Sequence, residues 1–381
     1  MSNIFDVVII GGGASGIMLA SLLKEKKVAL VEHNQKIGAK ILISGGGKCN
    51  ITNEFITQKH FLGDWNFVKS VIKGFDQNVT LRYFQSRGLK TVKLKNNQYF
   101  CEKSAKELMD ILSNECKDHT LLLGEDLLDI GKHGDVFAIL TSKRELRAKN
   151  VVVASGGLSY ASIGAGDIGY KIAHKFGHNI VKTAPALVGL TLQKEQFFLK
   201  ELSGISCDVV IKVGDNICEG SLLFAHKGIS GPAVLDASLF WEKGDISVDF
   251  LPNIKLEDLR SSNKNISTVL PISKRLATAL LIHLEISDKK FSSLSKSEFE
   301  KLKTIKEYRF APAGTFGYNK AEVTKGGVNT SEIDPKNMMS KKCENLFFLG
   351  EVLDVTGRLG GYNIQWAFSS AFACANSISK E

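Results

Sequence analysis

The first thirty residues follow a pattern that few folds accommodate. Val7-Val8-Ile9-Ile10 is a short, wholly apolar, β-branched run, as expected of a parallel strand buried on both faces. It stops at Gly11-Gly12-Gly13-Ala14-Ser15-Gly16. A helical pattern through Ile17, Leu19, Ala20, Leu22 and Leu23 follows, and a second apolar run, Val28-Ala29-Leu30-Val31, ends in Glu32. Strand, Gly-x-Gly-x-x-Gly turn, helix, strand and terminal acid make one βαβ unit of the dinucleotide-binding kind. Gly11 allows the tight turn, Gly13 lets the backbone approach a pyrophosphate, and Gly16 lets the helix pack close to the strand. The helix start, with Ala14 and Ser15, presents unpaired N–H groups and a positive dipole end to the phosphates. Glu32 is positioned to accept from ribose hydroxyls and would repel a 2′-phosphate.

The next stretch separates FAD from NAD. A plain NAD domain would continue with another helix and strand. This chain runs instead through Lys40 into Ser44-Gly45-Gly46-Gly47-Lys48-Cys49-Asn50. An extended loop of glycines and small polar side chains lies well along a ribityl chain and an isoalloxazine ring. The expected cofactor is therefore FAD, held non-covalently. Gly164-Ala165-Gly166-Asp167-Ile168-Gly169 repeats the glycine spacing. Its preceding strand ends ten residues earlier, at Ala154, and position 185, the counterpart of Glu32, is proline. We expect no separate NAD(P)H domain, which leaves NAD(P)H as a transient reductant.

Further along, Val151-Val152-Val153-Ala154 ends in Ser155-Gly156-Gly157, where small residues again permit close contact with a dinucleotide. Residues 55–118 read as mostly helical, and strands are expected over 121–130, 136–141, 145–147 and 151–154. From about Leu187 short alternating runs predict antiparallel strands. From Leu256 to Phe310 the pattern turns helical. Gly350, Glu351 and Asp354 close a late buried strand, and either acid could accept from a ribityl hydroxyl. Gly361-Tyr362-Asn363-Ile364 opens a last helix whose N-terminus can face the flavin's pyrimidine end.

The run Ile41 to Asn53, with Ser155-Gly156-Gly157, Phe224-Ala225-His226-Lys227-Gly228, Ala321-Glu322-Val323-Thr324-Lys325-Gly326-Gly327 and Gly350-Glu351-Val352-Leu353-Asp354, resembles a family of bacterial FAD-binding flavoproteins. That family includes aminoacetone oxidase-like enzymes and a bile-acid enone reductase. The resemblance implies an α/β architecture: a glutathione-reductase-like FAD-binding Rossmann domain carrying an inserted small antiparallel β domain and a helical excursion. The expected boundaries are 1–186 with 329–381 for the FAD domain, 187–253 with 309–328 for the β-barrel-like insert, and 254–308 for the helical insert.

The function expected is FAD-dependent oxidoreduction of a small organic substrate by hydride transfer to or from flavin N5, amine oxidase-like or enone reductase-like. The substrate pocket is expected between the FAD domain and the insertion. His226 is the leading candidate acid–base residue because histidine titrates near neutrality. Tyr362 is a second candidate, with Tyr160 and Lys325 behind it. The alternative is a flavoprotein acting on RNA through a basic face, motivated by a net charge of +9. The basic residues are scattered, with no aromatic interleaving and no RNA module, so nucleic acid is not the expected partner. Seven cysteines without a C-x-x-C read as free thiols in a reducing compartment, with Cys49 the only one beside the flavin loop. No metal site, leader or membrane span is expected, and the location expected is the cytoplasm. The oligomeric state is not legible.

Overall fold

A computed structural model describes residues 4–380. The chain divides into two compact units, one running to Ala184 and resuming at Val323, the other spanning Pro185–Glu322. Among the elements of the first are β1 (Ile4–Ile10), α1 (Ala14–Leu22), β2 (Val28–Glu32), β3 (Asn50–Asn53), β4 (Thr91–Lys93), β5 (Gln98–Cys101), α2 (Ala105–Glu115), β6 (Thr120–Leu123), β7 (Leu127–His133), β8 (Val136–Thr141), β9 (Glu145–Val153), β10 (Val323–Val328), β11 (Leu346–Phe348) and α3 (Tyr362–Ile378).

The main sheet has the order β6-β2-β1-β9-β8-β7, with β11 also on β9. β1 lies between β2 and β9 and is parallel to both, with Ile10 opposite Val31 and Val153. Val7, Val8 and Ile9 are wholly buried, which is why this run is apolar without alternation. β9 changes character along its length. Glu145, Arg147 and Lys149 are exposed and alternate with buried residues, whereas Asn150–Val153 are buried throughout. The first half pairs antiparallel with β8, and the second lies between β1 and β11, parallel to both. The two strands expected at 145–147 and 151–154 are thus one strand. Asn150 continues it by donating from its side-chain amide to the Asp6 carbonyl at 3.1 Å. The single strand expected over 121–130 is instead two. Gly124 turns the chain with φ +61°, and the buried Glu125 carboxylate accepts from Thr141 Oγ1 and pairs with Arg144.

Residues 55–118 are less helical than expected. Trp65–Ile72, Gln77–Gln85 and α2 are helices, but β4 and β5 form a hairpin whose second strand pairs with β3. Thr91-Val92 and Tyr99-Phe100 are strand formers, and Asn96 and Asn97, both at positive φ, reverse the chain. α3 is apolar nearly all round and mostly buried, as a core helix should be. Its buried Gln365 accepts from Thr52 Oγ1 at 2.6 Å and donates to the Phe75 carbonyl at 2.8 Å, tying β3 to the core.

The second unit holds a seven-stranded sheet whose pairings given by register are antiparallel. The helical stretch expected as a separate insert shares one apolar cluster with that sheet, through Leu276, Phe291 and Phe299. Residues 323–328, expected with the insert, belong to the first unit, where Gly326 lies against the Lys182 carbonyl. No helix among the described residues is long and apolar enough to cross a membrane.

Candidate functional site

At the first turn each glycine has a distinct neighbourhood. Gly11 has φ +108°, and a Cβ there would sit 2.6 Å from the Ala154 carbonyl oxygen. A Cβ on Gly16 would run into the Gly11 carbonyl, so the start of α1 lies as close to β1 as a backbone allows. At Gly13 a Cβ would meet nothing within 4 Å: the space above this residue, at the helix start formed by Ala14, Ser15 and Gly16, is open. Glu32 is buried, and its carboxylate accepts from the Gly12 N–H at 2.7 Å and the Asn34 N–H at 2.8 Å. It therefore braces the glycine turn, a job the sequence did not disclose for it or for Gly12.

The end of β9 completes the recess. Ser155 Oγ is buried without a hydrogen-bond partner among the described residues, and Ser155 Cα lies 2.8 Å from the position of a Gly11 Cβ. Gly156, at φ +73°, faces open space. An orphaned hydroxyl beside two uncovered glycines is the polar, roomy cradle that a diphosphate requires.

The late acids resolve into different environments. Glu351 is engaged at both oxygens, by Lys40 Nζ at 2.7 Å and by the Thr324 N–H at 2.9 Å. Thr324 Oγ1 in turn accepts from the Leu158 and Ser159 N–H groups at 2.8 and 3.1 Å. This threonine, which the sequence offered only as part of a family resemblance, joins β10 to the loop after β9. Asp354 is half-buried, its carboxylate accepts no hydrogen bond among the described residues, and burial raises it above the usual carboxylate range. Gly350, at φ +69°, donates to Ser370 Oγ and accepts from Trp366 Nε1 at 3.0 Å.

The second glycine cluster is a left-handed bend: Gly45, Gly46 and Gly47 have φ of +56°, +65° and +85°. Ser44 Oγ donates to the Ile41 carbonyl at 2.8 Å. Cys49 is not alone there. The Cys101 N–H donates to the Cys49 carbonyl at 3.4 Å, and the neighbouring Cys101 thiol, together with burial, pushes Cys49 well up. Strand pairing between β3 and β5 brought them together, and sequence spacing could not. The Asn50 amide lies 2.8 Å from that of Gln98 and 3.1 Å from the Gly361 N–H. Asn363 holds the Gly357 backbone at both N–H and carbonyl, at 2.8 and 2.9 Å. Ile364 follows, half-buried, in the first turn of α3.

Of the candidate acid–base residues, Tyr362 is buried and stacked on His60 at 4.5 Å between centroids. His226 is exposed at the turn between strands Asn216–Ala225 and Gly228–Ser230 of the second unit. Tyr160 has φ +66°, and Lys325 is half-buried on β10.

The HI0933-like protein Rossmann domain matches residues 5–377. The chain belongs to this family. Across 98% of both chains it is 36% identical to the ribosomal RNA dihydrouridine synthase of Escherichia coli (strain K12). To the protein of that name from Haemophilus influenzae it is 37% identical over the whole of both chains. It is 29% identical to the 3-dehydro-bile acid delta(4,6)-reductase of Clostridium scindens, over 98% of both. As an HI0933-like protein, the chain is an FAD-dependent oxidoreductase with an FAD-binding Rossmann-type fold. The open ground above Gly13 and Gly156 and the orphaned Ser155 hydroxyl fit that cofactor.

Proposed function

We propose that the chain is a reductase that adds two hydrogens across the C5=C6 bond of a uridine in ribosomal RNA. The observation that carries this reading is its end-to-end similarity, at 36–37% identity, to two proteins named for making dihydrouridine in ribosomal RNA. The chemistry of the bile-acid relative supports it. A uracil C5=C6 bond is conjugated to the C4 carbonyl, as the double bond of an enone is to its ketone. Both substrates take a hydride at the β carbon and a proton at the α carbon. This favours the enone-reductase half of the sequence expectation over amine oxidation. It also weighs against the expected small substrate and against setting nucleic acid aside.

Reduced FAD supplies the hydride from its N5. In this reading the amides at Gly13 to Ser15 and the Ser155 hydroxyl hold its diphosphate, and Glu32 keeps the glycine turn closed while meeting the ribose. Lys40, Ser44 to Gly47, Cys49 and Asn50 line the flavin. Lys40 neutralises Glu351 and the Thr324 N–H occupies its other oxygen, so Asp354 is the carboxylate left to accept from ribityl hydroxyls. The N-terminus of α3, at Gly361 to Ile364, stabilises negative charge at the ring's pyrimidine end. His226 and Tyr362 are the proposed proton donors to the α carbon. A His226→Asn variant that loses the alkaline limb of the pH–rate profile while Tyr362→Phe retains it would select the histidine. Nucleoside analysis of ribosomal RNA treated with the reduced holoenzyme tests the reading as a whole.

A further inference from the structure

The sequence shows no run of basic residues, but folding makes a basic face out of two stretches far apart in the chain. Residues 33–53 and 77–101 together hold eight lysines and arginines and no aspartate or glutamate, and of the eight Lys40, Arg87 and Lys93 are ion-paired with Glu351, Glu115 and Glu54. Pairing of β3 with β5 joins them into one three-stranded sheet, β3-β5-β4. At one end of this sheet the Cys101 N–H donates to the Lys48 carbonyl and the Glu102 N–H to the Lys90 carbonyl, both at 3.0 Å. Lys48 and Lys90 therefore flank the same end of β5, one on either side of it. Both are exposed, and neither has an ion pair among the described residues.

The same face carries apolar surface. Val92 is opposite Phe100, Phe100 is opposite Asn50, and the Leu94 N–H donates to the Gln98 carbonyl. Side chains alternate along a strand, so Lys90, Val92 and Leu94 share one face with Gln98, Phe100 and Asn50, and with the exposed Glu102 opposite Lys90. Leu94 is 49% exposed, and Val92 and Phe100 are half-exposed. At the far end the face meets the proposed flavin site. Asn53 Nδ2 donates both to the Asn96 carbonyl at the hairpin tip and to the Gly360 carbonyl just before α3, at 3.1 and 3.2 Å. Ring and aliphatic surface flanked by unpaired lysines is what a strand with unstacked bases binds: phosphates to the ammonium groups, bases to the apolar shelf.

We infer that this face of β3-β5-β4 is an RNA-docking surface that delivers an unstacked uridine to the Gly360–Gly361 end of the site. Lys48 and Lys90 hold phosphates, and Phe100 and Leu94 support bases. This rests on the ribosomal RNA reading above. The test is fluorescence anisotropy of flavin-loaded holoenzyme with a fluorescein-labelled, uridine-containing single-stranded RNA over a series of salt concentrations. The double variant Lys48→Glu, Lys90→Glu is compared with Lys243→Glu, Lys264→Glu, which makes the same charge change on exposed residues of the second unit. The first variant should bind at least tenfold more weakly. Its log Kd against log salt slope should drop by about 1.4, the share of two phosphate contacts on a single strand. Leu94→Ala should weaken binding with the slope unchanged. All variants should keep their flavin absorbance. Equal loss in both double variants, or no loss in either, would overturn the docking face. If uridine in ribosomal RNA is still reduced in that case, the function stands and only the face is wrong. If the wild type neither binds RNA nor reduces it, both fall.

Discussion

Two stretches of this chain share the spacing Gly-x-Gly-x-x-Gly, and the structure gives them different roles. Before Gly11 a buried strand leads straight into the turn, and α1 follows at once. Before Gly164 there is only the short turn Ala161–Ile163. Gly16 is pressed on the Gly11 backbone, and Gly13 between them is uncovered. In the second stretch a Cβ on Gly164 would run into the His33 and Asn34 side chains, and one on Gly169 into Ser155. Those contacts pack Gly164 and Gly169 against the ends of β2 and β9, while Gly166 between them is uncovered, as Gly13 is. A glycine motif acquires its meaning from the strand that feeds it and from what its open faces look onto.

The contrast can be broken in graded steps. Gly16→Val should have the largest effect: the backbone behind it cannot yield, the central strand and α1 must part, and a loss of roughly 4 kcal/mol or more is expected. Circular dichroism should show protein without a cooperative melt. Gly13→Val should fold but hold no flavin, because the new side chain fills space kept open for the diphosphate. Its thermal unfolding should match that of wild-type apoprotein, with the visible absorbance gone. Gly166→Ala, by contrast, should keep flavin and melt within about 1 kcal/mol of wild type, since its Cβ would meet nothing within 4 Å. Calorimetry should find no tight, stoichiometric NAD(P)H site that this change removes.

The smallest effect lies in acid, just beyond the helix of the second motif. His178 bonds Ser340 and Glu332. Burial lowers His178 from its usual 6.5, with Glu332 partly opposing. Burial raises Glu332, but Lys342 and Asn179 outweigh it and hold that carboxylate at about 2. Both folded values lie below the unfolded ones, so both contributions are present above the unfolded pKa and are lost as pH falls. The melting temperature should decline from pH 6.5 toward pH 2, and His178→Asn should flatten the upper part of that decline.

What the sequence disclosed was local. β1, the glycine turn, α1 and β2 are contiguous and each carries its own periodicity, and the helix that opens after Gly361 is likewise a local feature. What it hid depends on partners far along the chain. Thr324 reaches residues 158 and 159, Lys40 reaches Glu351, and Cys49 meets Cys101 only because β3 and β5 pair. The choice between Glu351 and Asp354 was undecidable from spacing. In the structure Lys40 and the Thr324 N–H engage the first, and the second accepts no hydrogen bond among the described residues. The hairpin β4-β5 was missed because its strands are three and four residues long, too short to show alternation.

The central claim is that this flavoenzyme reduces uridine within ribosomal RNA, and one measurement addresses it directly. Holoenzyme reduced anaerobically with NAD(P)H is mixed with unmodified ribosomal RNA transcribed in vitro. The flavin spectrum is followed, and the RNA is then digested for nucleoside mass spectrometry. The account predicts that the RNA restores the oxidised flavin band and that dihydrouridine, a uridine heavier by two hydrogens, appears in proportion. A flavin that stays reduced in the presence of RNA, with every uridine unchanged, while a small enone restores the oxidised band would contradict it.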